Sequence, residues 1–380
     1  MDKPVLHKFD PTEIQAYCSK QTWPEDLVLE CHGIIGGIGS VRQQIFTCVR
    51  WAMATGTAIL IPRPHPRRQT NSTLGQEVYH KYSPNVELGH FFDTEGFKKT
   101  MHTMCPQMKL YDNLDNEDSV VDIGEFKLHP KGFWTEKLYH KTSQKFLNNH
   151  KSNNNGSLRF AFLGRHFKES LVCEDGEGFT NAMGHLLQTR KDIMRLVGLV
   201  LYEMSVRFNI GMDPSNLLAP GGFAGIHLRT SSDAMVRGWM SFEDQVKMYQ
   251  KYLARQPVPA IYIASGNLTS IEMFAKKVAP IPVVDKFSLL SPEDTALLKS
   301  MTWDQQGQLD YMVLTRASLY LGMADSLFSV NIASSRRAAT NIGTCSEYSE
   351  PGKDITYEDG MSVVVGRSRA PAQHPSYFWP

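Results

Sequence analysis

No run of apolar residues in this 380-residue chain approaches the roughly 18 that a membrane span needs, and Met1-Asp2-Lys3-Pro4 opens no hydrophobic core of a signal peptide. A surplus of one charge is missing as well. With 40 Lys+Arg against 39 Asp+Glu, the net charge of +1 provides no long-range field for nucleic acid or an acidic membrane surface, so any anion must be gripped locally. The six cysteines (Cys18, Cys31, Cys48, Cys105, Cys173, Cys345) form no CxxC and no zinc-type spacing. Neither a structural metal nor a thioredoxin motif is expected, and most are read as buried thiols. A nicotinamide cofactor is not expected either. Gly37-Ile38-Gly39 is followed by Arg42 where the third small residue of GxGxxG belongs, and Ile61 runs into Pro62 where a ribose-binding acid should end the next strand. No Gly-Lys-Ser/Thr closes a P-loop.

What is present is an α/β alternation, repeated. Val28 to His32 reads as a strand, Gly33 to Gly39 as a glycine-rich turn, and Ser40 as the cap of an apolar helix to about Thr55, before a strand at Ala58 to Ile61. The Pro- and Arg-rich stretch from Pro62 to Pro84 reads as an exposed loop, and Lys151 to Gly156 as a polar one. Arg159 to Leu163 is a further strand. Met183, Leu187, Ile193, Val197, Val200 and Met204 keep a helical period, predicting one long helix from about Asn181 to Arg207 that bridges two halves. Strands at Phe223–Leu228, Ala260–Ala264, Pro282–Asp285 and Leu319–Gly322 alternate with helices near Phe242–Arg255, Thr269–Lys277, Gln308–Ser318 and Ser326–Arg337. The expectation is two Rossmann-like domains, 1–215 and 216–380, facing across a cleft. Chemistry belongs after the strand ends at His32, Leu228, Ala264 and Gly322.

Three constellations stand at those ends. In the glycine loop, Gly37, Gly39 and Ser40 let backbone N–H groups approach a phosphate, or else form a plain tight turn. His227 and Arg229 are two apart on a strand and point the same way, fit for a diphosphate and a sugar, or for a buried imidazole beside a salt-bridged arginine. Asp310 precedes Ser326 and Ser329, which would start a helix as phosphate ligands or as simple caps. Arg336 and Arg337 read as a solvated face, as do Arg63, Arg67 and Arg68, although these three could line an acceptor side. Three Asn-x-Ser/Thr sequons begin at Asn71, Asn155 and Asn267.

Together these pieces resemble the protein O-fucosyltransferases and their relatives, which include the α1,6-fucosyltransferases. His227-Leu-Arg-Thr-Ser-Ser-Asp233 resembles the family's His-x-Arg-x-x-x-Asp motif, and Ile261 to Gly266 its second strand and turn. Gln308 to Ser329 is similar to the third motif, and Gly36 to Arg42 to an amino-terminal Gly-Gly-Leu-Asn-x-x-Arg. The resemblance runs from about Glu30 to Arg337. It implies a GT-B fold and an inverting, metal-free transfer of fucose from GDP-fucose, or a related GDP-sugar, to a hydroxyl of a protein or small molecule. No metal and no cofactor beyond the donor are implied. Donor-binding residues by resemblance are Gly37, Gly39, Ser40, Arg42, His227, Arg229, Asp310, Ser326, Phe328 and Ser329, with Arg229 helping GDP leave.

The family asparagine is Gly39 here, so the loop offers no general base. Asp233, His32 and Glu30 are the substitutes, and an SN1-like displacement needs none. The competing expectation is a GT-B shell that binds a nucleotide or glycan without turnover, or one repurposed for different chemistry in the same cleft. The compartment is expected to be the cytoplasm if residue 1 is the true start, and the ER or Golgi lumen if an anchor precedes it.

Overall fold

The computed structural model describes residues 8–25, 27–67, 83–114, 121–126, 141, 158–163, 172–212, 221–236, 238–339, 357–366, 375 and 378–380, without the side chains of 121–126, 158–163, 232 and 233. The polar stretch 151–156, the sequons at Asn71 and Asn155, Arg68 and Cys345 lie outside the described residues.

Two sheets organise the chain, as the alternation predicts. The first is parallel throughout and contains β1 (Leu27–His32), β2 (Ala58–Leu60), β3 (Leu110–Tyr111), β4 (Val121–Phe126) and β5 (Leu158–Leu163), in the order β3-β2-β1-β5-β4. The second contains β6 (Ala224–His227), β7 (Ile261–Ala264), β8 (Val283–Val284), β9 (Leu319–Met323), β10 (Tyr357–Glu358) and β11 (Ser362–Val365), in the order β10-β11-β9-β6-β7-β8, with only β10 antiparallel. In each sheet the chain steps outward from its first strand and then returns to that strand's other side. The reversal points lie between β1 and β5 and between β6 and β9, where such folds bind ligands. β6, β7, β9 and β11 are buried at every position, so their sequences read as continuous apolar runs and not as alternations.

Helices α1 (Thr12–Cys18), α2 (Ile38–Thr55), α3 (Thr94–Met104), α4 (Glu177–Gly184) and α5 (Lys191–Phe208) precede β6. They are followed by α6 (Ser232–Val236), α7 (Phe242–Leu253), α8 (Leu268–Val278), α9 (Lys286–Leu289), α10 (Pro292–Ser300), α11 (Trp303–Leu314) and α12 (Leu327–Ala338). Every residue of α2 except Ser40 is buried, because the helix packs on β1 and β2 and also on α11 and α12 of the second half. Gln43 and Arg50 find their partners inside. Gln43 Nε2 donates to Asn331 Oδ1 and to the Trp379 carbonyl, and Arg50 pairs with Asp175 at 2.8 Å. One apolar cluster runs through both halves, from Ile14 to Trp379. Among the described residues no helix is long and apolar enough to cross a membrane.

Several expectations need correction. The described cysteines are not thiols: Cys18 bonds Cys105, Cys31 bonds Cys48, and Cys173 is disulfide-bonded too. Their spacing carries no sign of this, because packing of α1 on α3 and of α2 on β1 brings the partners together. The long helix from Asn181 is two helices. Between them the chain is pulled out by Asp93 N–H to the Gln188 carbonyl, by the Phe92–Thr189 bridge and by Arg42 Nη1 to the Leu187 carbonyl. Gly37, not Ser40, is the N-cap of α2. The stretch after Pro62 is not an exposed loop at its start, since Pro62, Pro64 and Pro66 are buried. Arg336 is fully buried, donating to the carbonyls of Thr315, Ala317 and Met361 and to Ser362 Oγ. The carboxyl-terminal strands β10 and β11 were not anticipated; β11 is paired to β9 along its whole length.

Candidate active site

The second sheet's reversal point carries the densest chemistry. His227 ends β6, and its Nδ1 lies 2.7 Å from Ser329 Oγ, which also accepts the Met323 N–H at 3.2 Å. Its ring packs on Phe328 with centroids 4.6 Å apart, and Phe328 meets Tyr311 edge-on. Burial, and then the neighbouring Arg229, push the imidazole down to about 3, so it is neutral. Arg229 follows on the same face and is half-buried. Gln245 of α7 brackets its main chain, accepting its N–H at 3.1 Å and donating to its carbonyl at 2.9 Å, while Trp239 lies 5.8 Å from its guanidinium carbon. Thr230 Oγ1 donates to Ser270 Oγ, fixing the next residue against α8. Asp233 falls in the short helix α6. Ser326 is the N-cap of α12 but makes no side-chain cap bond.

The glycine loop occupies the first sheet's reversal point. Gly36 has φ +114°, and a Cβ there would lie 2.8 Å from Ser40 Cβ, so only glycine fits. Gly39 is required for another reason. A Cβ on it would meet the Leu327 carbonyl oxygen at 2.8 Å, so the amino-terminal turns of α2 and α12 touch here, one from each half. Neither helix bonds its first turn with its N-cap side chain. His32 ends β1, and its Nε2 is 3.2 Å from Glu30 Oε2. The His32 side chain is 45% exposed, so it is no core histidine.

The structure brings Gly37, Gly39, Ser326, Phe328, Ser329, His227 and Arg229 to one place, joined through the α2–α12 contact. Two predicted residues point elsewhere. Arg42 is buried, bonds the Leu187 and Pro380 main-chain oxygens, and lies 5.3 Å from both the Phe46 and the Tyr311 rings, tying α2 to α11. Asp310 is buried too, with Oδ1 accepting Tyr262 OH at 2.6 Å and Oδ2 accepting Lys286 Nζ at 2.5 Å. Burial pushes its carboxyl up, and Lys286 and Tyr262 pull it back.

Sequence reasoning missed Gln245, whose only signal is a polar residue on the apolar face of α7, one turn before Tyr249. It also missed the ion pair between Arg67 and Asp304, and read Arg67 as part of a solvated loop. Among the described residues no three His, Cys, Asp or Glu side chains gather as metal ligands do.

The family model described as GDP-fucose protein O-fucosyltransferase matches residues 28–339. No curated protein matches the chain. Among solved structures, POFUT1 in complex with GDP is 12% identical, with a TM-score of 0.52 over 91% of this chain and 100% of its own. POFUT1 in complex with GDP-fucose is 11% identical, with a TM-score of 0.52 over 92% and 100%. Fucosyltransferase NodZ from Bradyrhizobium is 11% identical, with a TM-score of 0.42 over 83% and 91%. The fold is therefore mixed α/β with two largely parallel sheets, of the GT-B-like kind.

Proposed function

The chain belongs to the GDP-fucose protein O-fucosyltransferase family, and from that premise we propose that it transfers fucose from GDP-fucose to a hydroxyl acceptor, inverting the anomeric carbon and needing no metal ion. One observation carries this reading: the amino-terminal turns of α2 and α12 meet at Gly39 and Leu327, beside the strand end that bears His227 and Arg229. Two helix amino termini and one guanidinium supply the positive potential that a departing diphosphate needs.

In the reaction the acceptor oxygen attacks C1 of fucose, and the C1–O bond to the β-phosphate breaks with its electron pair leaving on GDP. Arg229 neutralises that charge, and Gln245 and Trp239 hold it in place. His227, neutral and fixed by Ser329, serves as a hydrogen-bonding partner of the donor and not as a second cation. The acceptor proton goes to His32, the exposed imidazole backed by Glu30 at the carboxyl end of β1. The disulfides favour an oxidising compartment, so we place the protein in the ER or Golgi lumen and not in the cytoplasm.

Gly39 supports a second reading, a shell that binds GDP without turnover, because the position of the family asparagine is closed off by the Leu327 backbone.

Calorimetric titration with GDP, UDP and NAD, each with and without EDTA, tests the donor site. Binding of GDP alone, indifferent to EDTA and weakened about ten- to a hundredfold in Arg229→Ala, is the expected result. Glu243→Ala, at an exposed position of α7, should bind as the parent does. If Arg229→Ala binds GDP unchanged, the site is misassigned. GDP binding without fucosyl transfer to any hydroxyl, or to water, selects the second reading.

A further inference from the structure

Arg67 belongs to a segment that is fastened to the glycine loop. His65 N–H donates to the Ile34 carbonyl at 2.8 Å, and Ile35 and His65 form a parallel bridge. From there Arg67 reaches into the other half. Its main-chain N–H donates to Asp304 Oδ2 at 3.0 Å and its Nε to Oδ1 at 2.7 Å, and Nη2 closes the fork on Oδ1. Asp304 lies in the first turn of α11, with its side chain 1% exposed. The same turn makes two more bonds across the halves, from Gln305 Nε2 to the His90 carbonyl at 2.7 Å and between Thr302 Oγ1 and His90 Nε2 at 3.3 Å. On its other side the Arg67 guanidinium lies against Gly37, where an added Cβ would stand 3.4 Å from Nη2.

A buried ion pair adds little net stability, because desolvation offsets its Coulombic gain; its best-attested use is to select one arrangement over others. Arg67 also differs from Arg229 in what it can offer a ligand. A guanidinium forked onto a carboxylate has little charge left for a diphosphate. We infer that Arg67 and Asp304 are positioning residues for transfer: they hold the glycine loop against the second half, keeping the α2 amino terminus and His32 in place over the donor end of β6 and α12. The inference rests on the fucosyl-transfer reading above, and its test has an arm that does not.

The variants are Asp304→Asn, which keeps shape and loses charge, and Arg67→Lys, which keeps charge and loses the fork. In the parent and in each variant, hydrogen exchange of residues 33–41, GDP affinity and fucosyl transfer from GDP-fucose are measured. The expected result is faster exchange in the loop, GDP affinity within about threefold of the parent, and kcat lower by about tenfold or more, since small misplacements cost rate and not ground-state binding. Circular dichroism checks each fold, and if Asp304→Asn unfolds, Arg67→Lys decides alone. Unchanged loop exchange in the folded variants overturns the proposal even if no transfer is ever detected. So does a fall in GDP affinity that matches the fall in kcat, which would make Arg67 a donor ligand.

Discussion

His227 takes up its proton only near pH 3 when folded, against an ordinary value of 6.5, because burial and then Arg229 disfavour the charged ring. The unfolded chain therefore binds more protons between those two values, and stability should rise with pH across that window, by at most about 1.4 kcal/mol per pH unit from this group. Urea unfolding of His227→Gln between pH 4 and pH 6.5 should show a shallower pH dependence than the parent. A second prediction concerns His32. His32→Gln should lower kcat by about a hundredfold or more while leaving GDP affinity unchanged; if kcat holds, the proton goes elsewhere. His227, Arg229 and His32 were legible in the sequence because strand ends are legible, and residues two apart on a strand share a face. Arg67 and Asp304 were not, because a pair separated by 237 positions leaves no local pattern. Arg42 illustrates the opposite error: a motif position showed where the residue stands in the chain, and its bonds to Leu187 and Pro380 show that it faces inward.

At the scale of the element, helix contacts explain what the periodicity could not. Gly39 sits in the first turn of α2, where alanine would ordinarily favour the helix by about 1 kcal/mol. Here Gly39→Ala should instead destabilise by about 1–3 kcal/mol, because its Cβ strikes the backbone of α12, and chemical denaturation reads the sign directly. Arg336 poses a related case. Burial lowers its pKa to about 10, and it stays charged while holding three carbonyls and Ser362 between α11, β9 and the start of β11. Arg336→Ala would leave those acceptors unsatisfied and should cost about 3 kcal/mol or more. Its placement beside Arg337 near a helix end suggested a solvated face. The interruption between α4 and α5 was hidden in the same way, since apolar spacing continued through residues that tertiary hydrogen bonds draw out of the helix.

For the whole molecule, the doubled α/β alternation was readable from buried strands and short turns, and the joining of the two halves was not. One core and one helix, α2, serve both sheets. Cys18–Cys105 and Cys31–Cys48 brace the first half, and the loops they close differ in length, with separations of 87 and 17 residues. Loss of Cys18–Cys105 should cost about 4.6 kcal/mol and loss of Cys31–Cys48 about 3.1 kcal/mol, measured on paired Cys→Ala variants by denaturant unfolding. A larger loss from the shorter loop would mean that the bridge beside the glycine loop acts through the native site and not through the unfolded chain. The carboxyl-terminal residues join the halves as well: Trp379 bonds Gln43 of α2 in both directions, and the Phe378 carbonyl accepts Ser334 Oγ of α12. Gln43 and Trp379 are 336 positions apart. During translation the Gln43 amide stays incompletely matched until Trp379 has emerged from the ribosome, so the helix that both sheets share settles late in folding.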